Sequence, residues 1–175
     1  ATMSYPGNPA VPGLDIELLQ ESQAFVDWCN AAGGILGRKL VLDKRDAALF
    51  NAASQMIASC QQPDFMLVGN GEAIDATGVQ PRLSCGLPEI SGFDVSAAAG
   101  TAPLSVQPLP TPDDESTIGG ALRALKAYDP ASAAFYGLLS STVQSVKDSG
   151  NRDKAAAAKL GYTQVYYDEY PVQVN

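Results

Sequence analysis

Hydrophobic positions in this chain fall into short continuous runs that are separated by longer stretches of helical spacing. The short runs predict strands at residues 1–4, 38–44 (centred on 40–42), 65–68, 87–91, 105–107, 133–139 and 163–167. Between them, apolar residues at intervals of three or four predict helices at residues 14–32, 51–61, 73–83, 111–125 and 140–160. This alternation predicts an α/β fold with a doubly wound, mostly parallel sheet.

The first helix and the third strand give more detailed expectations. The helix is predicted to bury one stripe, formed by Leu18, Ser22, Phe25, Cys29 and Ala32. Leu19 and Val26 are expected beside this stripe, and Trp28 is expected to pack on the helix. Gly33 and Gly34 are expected to end the helix, because glycine adopts the left-handed cap at little cost. The strand at residues 65–68 is expected to break at the glycine-rich residues 69–71.

A proline-rich stretch from Pro103 to Pro112 interrupts the rhythm and predicts a boundary between two α/β units. We place an N-terminal lobe at residues 1–107, a hinge at 108–112 and the start of a second lobe at 113–175. Thr111 is the expected N-cap of the helix that opens the second lobe. The strand, helix and strand that follow bury too little to form a domain alone. We therefore expect the chain to stop within its second lobe.

Composition excludes several classes of function. The net charge is −8, with 19 acidic and 11 scattered basic residues, so nucleic acid is not an expected partner. The chain has no histidine, which removes the commonest general base and most zinc sites. No apolar run approaches the roughly 20 residues of a membrane span. Residues 69–71 lack the lysine of a phosphate-binding loop. We predict no catalysis, no metal and no cofactor.

Residues 25–40, with the sequence FVDWCNAAGGILGRKL, resemble a stretch near the front of the type 1 periplasmic binding proteins. These are the branched-chain amino acid and related solute-binding proteins of ABC transporters. Later segments are similar to further motifs of the family at residues 45–47, 67–69, 87–91 and 156–170. The resemblance covers nearly the whole chain but only the front of the family pattern. It implies two doubly wound lobes around a hinge, with a ligand trapped between them.

The resemblance implies an extracellular protein that captures a small polar ligand, such as an amino acid, for the membrane permease of an ABC transporter. Such a protein is periplasmic or tethered to the outer face of the cell membrane. The chain opens at Ala1, so a signal peptide is expected to have been removed. The alternative is the ligand-sensing domain of a receptor with the same fold. The full reading frame would distinguish the two.

The binding site is expected where the strand order of the sheet reverses, beyond the carboxyl ends of the strands. In the strand order 2-1-3-4, the loops that meet there contain Ser4, Tyr5, Asn70, Gly71, Glu72, Ser91, Gly92 and Phe93. Leu138 and Ser140 are expected to face the same cleft from the second lobe. Residues 70–72 replace the small hydroxyl residues with which branched-chain members hold an amino acid, and Glu72 would suit a cationic or amino group. A simpler alternative is that Asn70 and Ser91 only cap the turns that follow them.

The three cysteines allow one disulfide and one free thiol. In a sheet of order 2-1-3-4 the second and third helices lie side by side, and their C-terminal ends meet. This arrangement predicts a disulfide between Cys60 and Cys85, and therefore an oxidising compartment. Cys29, on the core stripe of the first helix, is expected to remain a buried thiol.

Overall fold

The computed structural model describes residues 1–109 and 119–171, and it confirms the α/β alternation. The front part contains β1 (Thr2–Ser4), α1 (Ile16–Ala31), β2 (Lys44–Asp46), α2 (Ala52–Gln61), β3 (Leu67–Gly71), α3 (Ala76–Ser84), β4 (Glu89–Phe93), α4 (Ala97–Gly100) and β5 (Ser105–Val106). The later part contains α5 (Gly119–Tyr128), a short 3-10 helix (Pro130–Ala134), β6 (Tyr136–Ser141), α6 (Gln144–Lys159) and β7 (Gln164–Tyr170). The predicted helix start at Thr111 lies outside the described residues.

The named strands that pair in the described part of the chain are all parallel. β1 pairs with β2, β4 lies between β3 and β5, and β6 pairs with β7. β1 lies against β3, where the Val68 N–H donates to the Ala1 carbonyl at 3.0 Å. The front strands therefore lie in the spatial order 2-1-3-4-5. The order reverses between β1 and β3, as the doubly wound prediction requires.

The second strand lies further along the chain than predicted. The prediction of a strand at residues 38–44, centred on 40–42, is wrong in its position, because the strand occupies Lys44–Asp46 and Val41 is 93% exposed. In the parallel register, Lys44 lies opposite Thr2. Leu40, Val41 and Leu42 precede the residues that pair with β1. Apolar character alone could not reveal this register.

The third strand continues through the residues that were expected to break it. Gly69 has a φ of 69°, a left-handed conformation that glycine adopts without strain. The register with β4 shifts on either side of Asn70, so β3 contains a bulge and extends to Gly71. Because of the bulge, the strand continues past Gly69 and Asn70 lies in the interior, where it is 6% exposed.

The first helix buries a different stripe from the predicted one. The side chains that it buries are Leu19, Val26 and Cys29, whereas Phe25 and Trp28 are 53% and 67% exposed. The Ser22 hydroxyl lies 3.3 Å from that of Thr2 in β1, so the helix approaches the sheet at small polar residues. This close approach selects the Leu19 and Val26 side. Phe25 and Trp28 instead contact each other on the outer face, with ring centroids 5.9 Å apart.

The core of the front sheet joins strand residues to the inner face of α2. Its buried members are Met3, Tyr5, Ala47, Ala52, Met56, Leu67 and Leu87. α2 and α3 pack side by side, and Cys60 is bonded to Cys85 with their Cα atoms 5.9 Å apart. Cys29 is free and buried. The predicted disulfide and the predicted buried thiol are both confirmed.

The later part of the chain forms a separate two-stranded sheet. β6 begins at Tyr136, since residues 130–134 form a 3-10 helix rather than the predicted start of a strand. Asp129 caps that short helix by accepting from the Ala131 N–H. α6 covers one face of the sheet and ends before Gly161, as predicted. Val165 and Leu139 are both more than half exposed.

The disulfide gives a direct prediction for the protein in solution. We expect alkylation of the denatured, unreduced protein to label one thiol, Cys29, and labelling after reduction to reach three. Closing a loop of 25 residues should stabilise the fold by about 3 kcal/mol in the chain-entropy model. The measurements are mass spectrometry of the labelled protein and urea unfolding with and without reductant. Three reactive thiols in unreduced protein would contradict the prediction.

Candidate functional site

A small cavity of about 20 Å³ lies at the carboxyl ends of β3 and β4, beside α3. Apolar side chains of Met56, Val79 and Phe93 form part of its wall. The polar side chains that line it are Asn70, Glu72, Asp75, Arg82, Glu89 and Asp94. The volume is enough for one water molecule or a group of similar size. The cavity lies next to the predicted switch point of the sheet.

Arg82 forms the floor of this site. The side chain is 1% exposed, and its Nε lies 3.0 Å from Glu89 Oε2 in a buried ion pair. Its other nitrogens donate to the carbonyls of Leu87, Leu104 and Pro103 at 2.9 to 3.1 Å. All three guanidinium nitrogens are therefore engaged within the protein. A buried charge requires this degree of pairing to offset its loss of hydration.

The ion pair in turn orients Asn70. The amide Nδ2 of Asn70 donates to Glu89 Oε1 at 2.5 Å, so both oxygens of this carboxylate are engaged. The opposite end of the amide, Oδ1, is buried and accepts no hydrogen bond from the described residues. Most buried polar atoms in native proteins have a partner, so an orphaned acceptor in a cavity is a candidate ligand contact.

Glu72 provides a second acceptor of the same kind. The residue is 4% exposed, and its buried Oε1 likewise has no partner among the described residues. Burial and the neighbouring carboxylates of Asp75 and Glu89 raise the pKa of Glu72 to about 8. Burial is also the main cause that raises the pKa of Asp94 to about 6, with Glu89 and Asp75 contributing. The site therefore contains more carboxyl groups than Arg82 can pair with, and two of them are harder to ionise than in water.

Asp75 links this site to the later part of the chain. Its carboxylate accepts from the backbone N–H groups of Val95 and Ser96 at 2.6 and 3.1 Å. The hydroxyl of Ser145, in the first turn of α6, donates to the same carboxylate at 3.3 Å. Arg152, two turns further along α6, donates to the Val95 carbonyl at 2.7 Å. Polar contacts therefore bring the N-terminal half of α6 to the rim of the site.

The first-strand residues of the predicted site are buried and do not line the cavity. Ser4 is fully buried and donates to the Asp15 carbonyl at 2.6 Å. Tyr5 is 5% exposed in the hydrophobic core. Burial, a hydrogen bond with Asp15 and the charge of Glu72 all raise the pKa of its hydroxyl. Tyr5 therefore lies within the electrostatic reach of Glu72, on the core side.

The fourth-strand residues lie at the site with their side chains mostly engaged. Ser91 is 1% exposed, and its hydroxyl lies 2.7 Å from Gln107 Oε1 and 3.2 Å from Asp94 Oδ2. Phe93 covers Gly71, where a Cβ atom would fall 2.2 Å from the ring. A Cβ atom at Gly92 would similarly lie 3.1 Å from the Gly69 carbonyl oxygen of β3. These glycines allow the two strand ends to approach each other closely.

The second-lobe residues of the predicted site face α6. A Cβ atom at Gly150 would lie 2.9 Å from the Ser140 hydroxyl and 3.6 Å from Leu138. Ser140 is buried there, and its Oγ has no partner among the described residues. Both side chains therefore lie on the covered face of β6. Membership of these two residues in a ligand site stays a prediction.

Sequence reasoning missed four polar members of the cavity, namely Asp75, Arg82, Glu89 and Asp94. A signal existed for Glu89, because a carboxylate inside a predicted apolar strand requires a buried partner. Arg82 gave no such signal, since an arginine in a helix is usually at the surface. The interaction between them depends on how α3 packs against β4, which the residue pattern does not specify.

No protein-family model matches the chain, and no curated protein sequence matches it. Solved structures do match. A possible leucine/isoleucine/valine-binding protein from Rhodopirellula baltica aligns with 97% of this chain and 47% of its own, with a TM-score of 0.78 and 17% identity. A branched-chain amino acid transporter substrate binding protein from Streptococcus pneumoniae, in complex with isoleucine, aligns with 99% of this chain and 49% of its own, with a TM-score of 0.72 and 17% identity.

An extracellular ligand-binding receptor from Verminephrobacter eiseniae aligns with 88% of this chain and 44% of its own, with a TM-score of 0.66 and 16% identity. This chain thus spans about half the length of the structures that it matches. At such identities the likeness establishes the fold alone. The fold is that of the type 1 periplasmic binding proteins, as the motif resemblance had implied.

The buried ion pair gives a stability prediction. Changing Arg82→Met leaves Glu89 buried without a counter-charge, so we expect the free energy of unfolding to fall by about 3 to 5 kcal/mol. The double variant Arg82→Met with Glu89→Leu should recover part of this loss, because it removes the uncompensated charge as well. Urea unfolding measures both. A single variant within about 1 kcal/mol of the wild type would show that the pair does not organise the site.

The raised pKa of Glu72 gives a prediction about pH. An unfolded glutamate titrates near 4.5, so between pH 4.5 and about 8 the folded protein holds a proton that the unfolded chain releases. The contribution of Glu72 to the free energy of unfolding therefore decreases as the pH rises through this range. Relative to the wild type, we expect ligand-free Glu72→Gln to gain stability at pH 8.5 compared with pH 5.

The control for this measurement is Glu21→Gln, at an exposed position of α1 in the same part of the chain. Urea unfolding of each variant at the two pH values gives the difference. The prediction is wrong if Glu72→Gln shows the same pH dependence as Glu21→Gln.

Proposed function

We propose that this chain is the ligand-binding front part of an extracellular solute-binding protein, which captures a small polar molecule between two lobes for an ABC permease and catalyses nothing. The observation that carries the proposal is the pair of buried acceptors on Asn70 and Glu72, which have no partner among the described residues. They lie at the carboxyl end of β3, beside the reversal in strand order where open parallel sheets bind ligands. The shared fold supports the same role.

The proposed lobes retain the boundaries predicted from the sequence, at residues 1–107, 108–112 and 113–175. Support comes from the separate β6–β7 sheet and from the character of the contacts between the two parts. Those contacts include the hydrogen bonds of Ser145 and Arg152 with the front part. Water can replace such polar contacts at little net cost, so the two parts could separate to admit a ligand.

The proposed extracellular location is supported by the Cys60–Cys85 disulfide, since disulfides persist in oxidising compartments. In the described residues no helix is both long and apolar enough to cross a bilayer. A receptor's ligand-sensing domain is the second candidate, favoured by the likeness to the Verminephrobacter eiseniae receptor. A membrane span leading to a signalling domain in the full reading frame would favour this second function.

The proposed site consists of the loops predicted from the sequence, and the residues of these loops have different roles. Asn70 and Glu72 offer free acceptors, while Gly71, Gly92 and Phe93 shape the wall around them. Ser91 contributes through the network that it forms with Asp94. Ser4 and Tyr5 support the site from below, and Leu138 and Ser140 support α6.

Native mass spectrometry of the full-length protein tests the proposal first. We expect a small molecule to co-purify with the protein. Losing a hydrogen bond to the ligand costs about 1 to 3 kcal/mol, so Asn70→Ala should lower affinity for the identified molecule roughly 5- to 150-fold. Calorimetry measures the affinity, and circular dichroism checks folding.

Asn51→Ala is the matched control, because this amide is exposed and makes no capping hydrogen bond. It should bind within about twofold of the wild type. If Asn70→Ala also binds within twofold while staying folded, the loop after β3 is not the site. If no molecule co-purifies and none binds, the solute-binding function itself is contradicted.

A further inference from the structure

The site is unbalanced in its hydrogen-bonding groups. Its side-chain donors are used within the protein, because Arg82 serves Glu89 and three carbonyls and the Asn70 amide serves Glu89. The Ser91 hydroxyl lies within reach of two acceptors, Gln107 and Asp94. The acceptors Asn70 Oδ1 and Glu72 Oε1 remain without a partner among the described residues. A ligand that brings donors can therefore satisfy both acceptors, with Glu72 in its ionised form.

The charges of the site are unbalanced in the same direction. The cavity is lined by four carboxylates and by one cation, Arg82, which is already paired with Glu89. Asp75 is hydrogen-bonded by backbone N–H groups, and Asp94 lies beside Ser91. Glu72 is the buried carboxylate that has neither a cation nor a donor among the described residues. Opposite charge nearby would stabilise its ionised form.

The size of the cavity limits what can enter. About 20 Å³ accommodates one water-sized group, which matches a single ammonium centre rather than a whole amino acid. Met56, Val79 and Phe93 line the same space with apolar surface. These walls suit the methylene carbon that carries an ammonium group. The rest of a ligand would extend outward, towards the end of α6 that contacts Asp75.

We infer that the solute is a cationic amine whose ammonium group donates to Glu72 Oε1 and Asn70 Oδ1. This inference rests on the proposed solute-binding function and specifies its substrate class. The front lobe then offers no free cationic side chain at the cavity to receive a carboxylate, so a diamine or a basic amino acid should bind better than a neutral or acidic one. Glu72 is the residue that determines this specificity.

The inferred contact also predicts how binding couples to protons. The charged or titratable groups that surround Glu72 are Tyr5, Asp75, Arg82, Glu89 and Asp94. At pH 7 the carboxyl of Glu72 is mostly protonated in the free protein, because its pKa is raised to about 8. An ammonium ligand favours the ionised form and should displace nearly one proton from it. A ligand that presents an acceptor to Glu72 would displace none.

The experiment uses the full-length protein, freed of bound solute, with a fixed set of probes. These are putrescine and agmatine as amines without a carboxylate, lysine as a basic amino acid, leucine and isoleucine as neutral ones, and succinate as a diacid. Calorimetry at pH 7 in two buffers of different ionisation enthalpy gives both the affinity and the number of protons released. We expect at least one amine or lysine to bind more tightly than the other probes, with close to one proton released.

Two variants connect the result to the contact. Glu72→Gln should lower affinity for the cationic probe roughly 10- to 150-fold and abolish the proton release, because it removes a charge-assisted hydrogen bond. Glu21→Gln, which removes an exposed carboxylate, should leave both unchanged. Circular dichroism confirms that each variant is folded.

The outcomes separate this inference from the function on which it rests. Tight binding of leucine, isoleucine or succinate that Glu72→Gln leaves unchanged overturns the inference and upholds a solute-binding protein. Cation binding without proton release, or insensitive to Glu72→Gln, also overturns it. If no probe binds and no molecule co-purifies with the protein, the proposed function and the inference are both contradicted.

Discussion

The buried ion pair between Arg82 and Glu89 is the interaction on which the rest of the site depends. An unpaired guanidinium in this position would lose its hydration without compensation. Its pairing joins α3 to the start of β4, and its bonds to Pro103 and Leu104 hold the segment that leads into β5. The same carboxylate also orients Asn70. Arg82 thus holds together α3, the start of β4 and the segment before β5.

This arrangement explains why the site is acidic and open to donors. Both oxygens of Glu89 are engaged in the interior, one by Arg82 and one by Asn70. Burial is the main cause that raises the pKa of the neighbouring Glu72 and Asp94, and the carboxylates of Asp75 and Glu89 raise it further. Buried groups with strongly shifted pKa values concentrate at functional sites. Burial beside other carboxylates therefore disfavours the ionised form of Glu72, which a cationic ligand would stabilise.

The sequence was sufficient for the fold class, the order of the front strands and the disulfide. Each of these follows from the alternation of strands and helices, a local signal that survives small errors in boundaries. The positions of β2 and of the buried stripe of α1 were not predictable in the same way. The first depends on pairing with β1, and the second on the close approach of Ser22 to Thr2. Both are set by a neighbouring element rather than by the segment itself.

The candidate cavity lies near the predicted site, but its chemistry was not predictable from the sequence. The switch-point rule led to Asn70 and Glu72 because it concerns topology, and topology was recoverable. It could not tell that Tyr5 belongs to the core, since a residue after a strand may turn inward or outward depending on what packs beside it.

The contacts within the front part of the chain differ in kind from those that join it to α6, and this difference bears on ligand capture. The disulfide joins the C-terminal ends of α2 and α3, and the cavity extends along α3 from Arg82 to Asp75, which receives Ser145. A covalent bond thus joins α2 to α3 and a buried ion pair joins α3 to β4, while hydrogen bonds that water can replace join the front part of the chain to α6. Binding residues that are already ordered before the ligand arrives lower the entropic cost of binding. Under the proposed function, the front lobe would present its acceptors in a fixed geometry, and the motion needed to enclose a solute would fall to the contacts with α6.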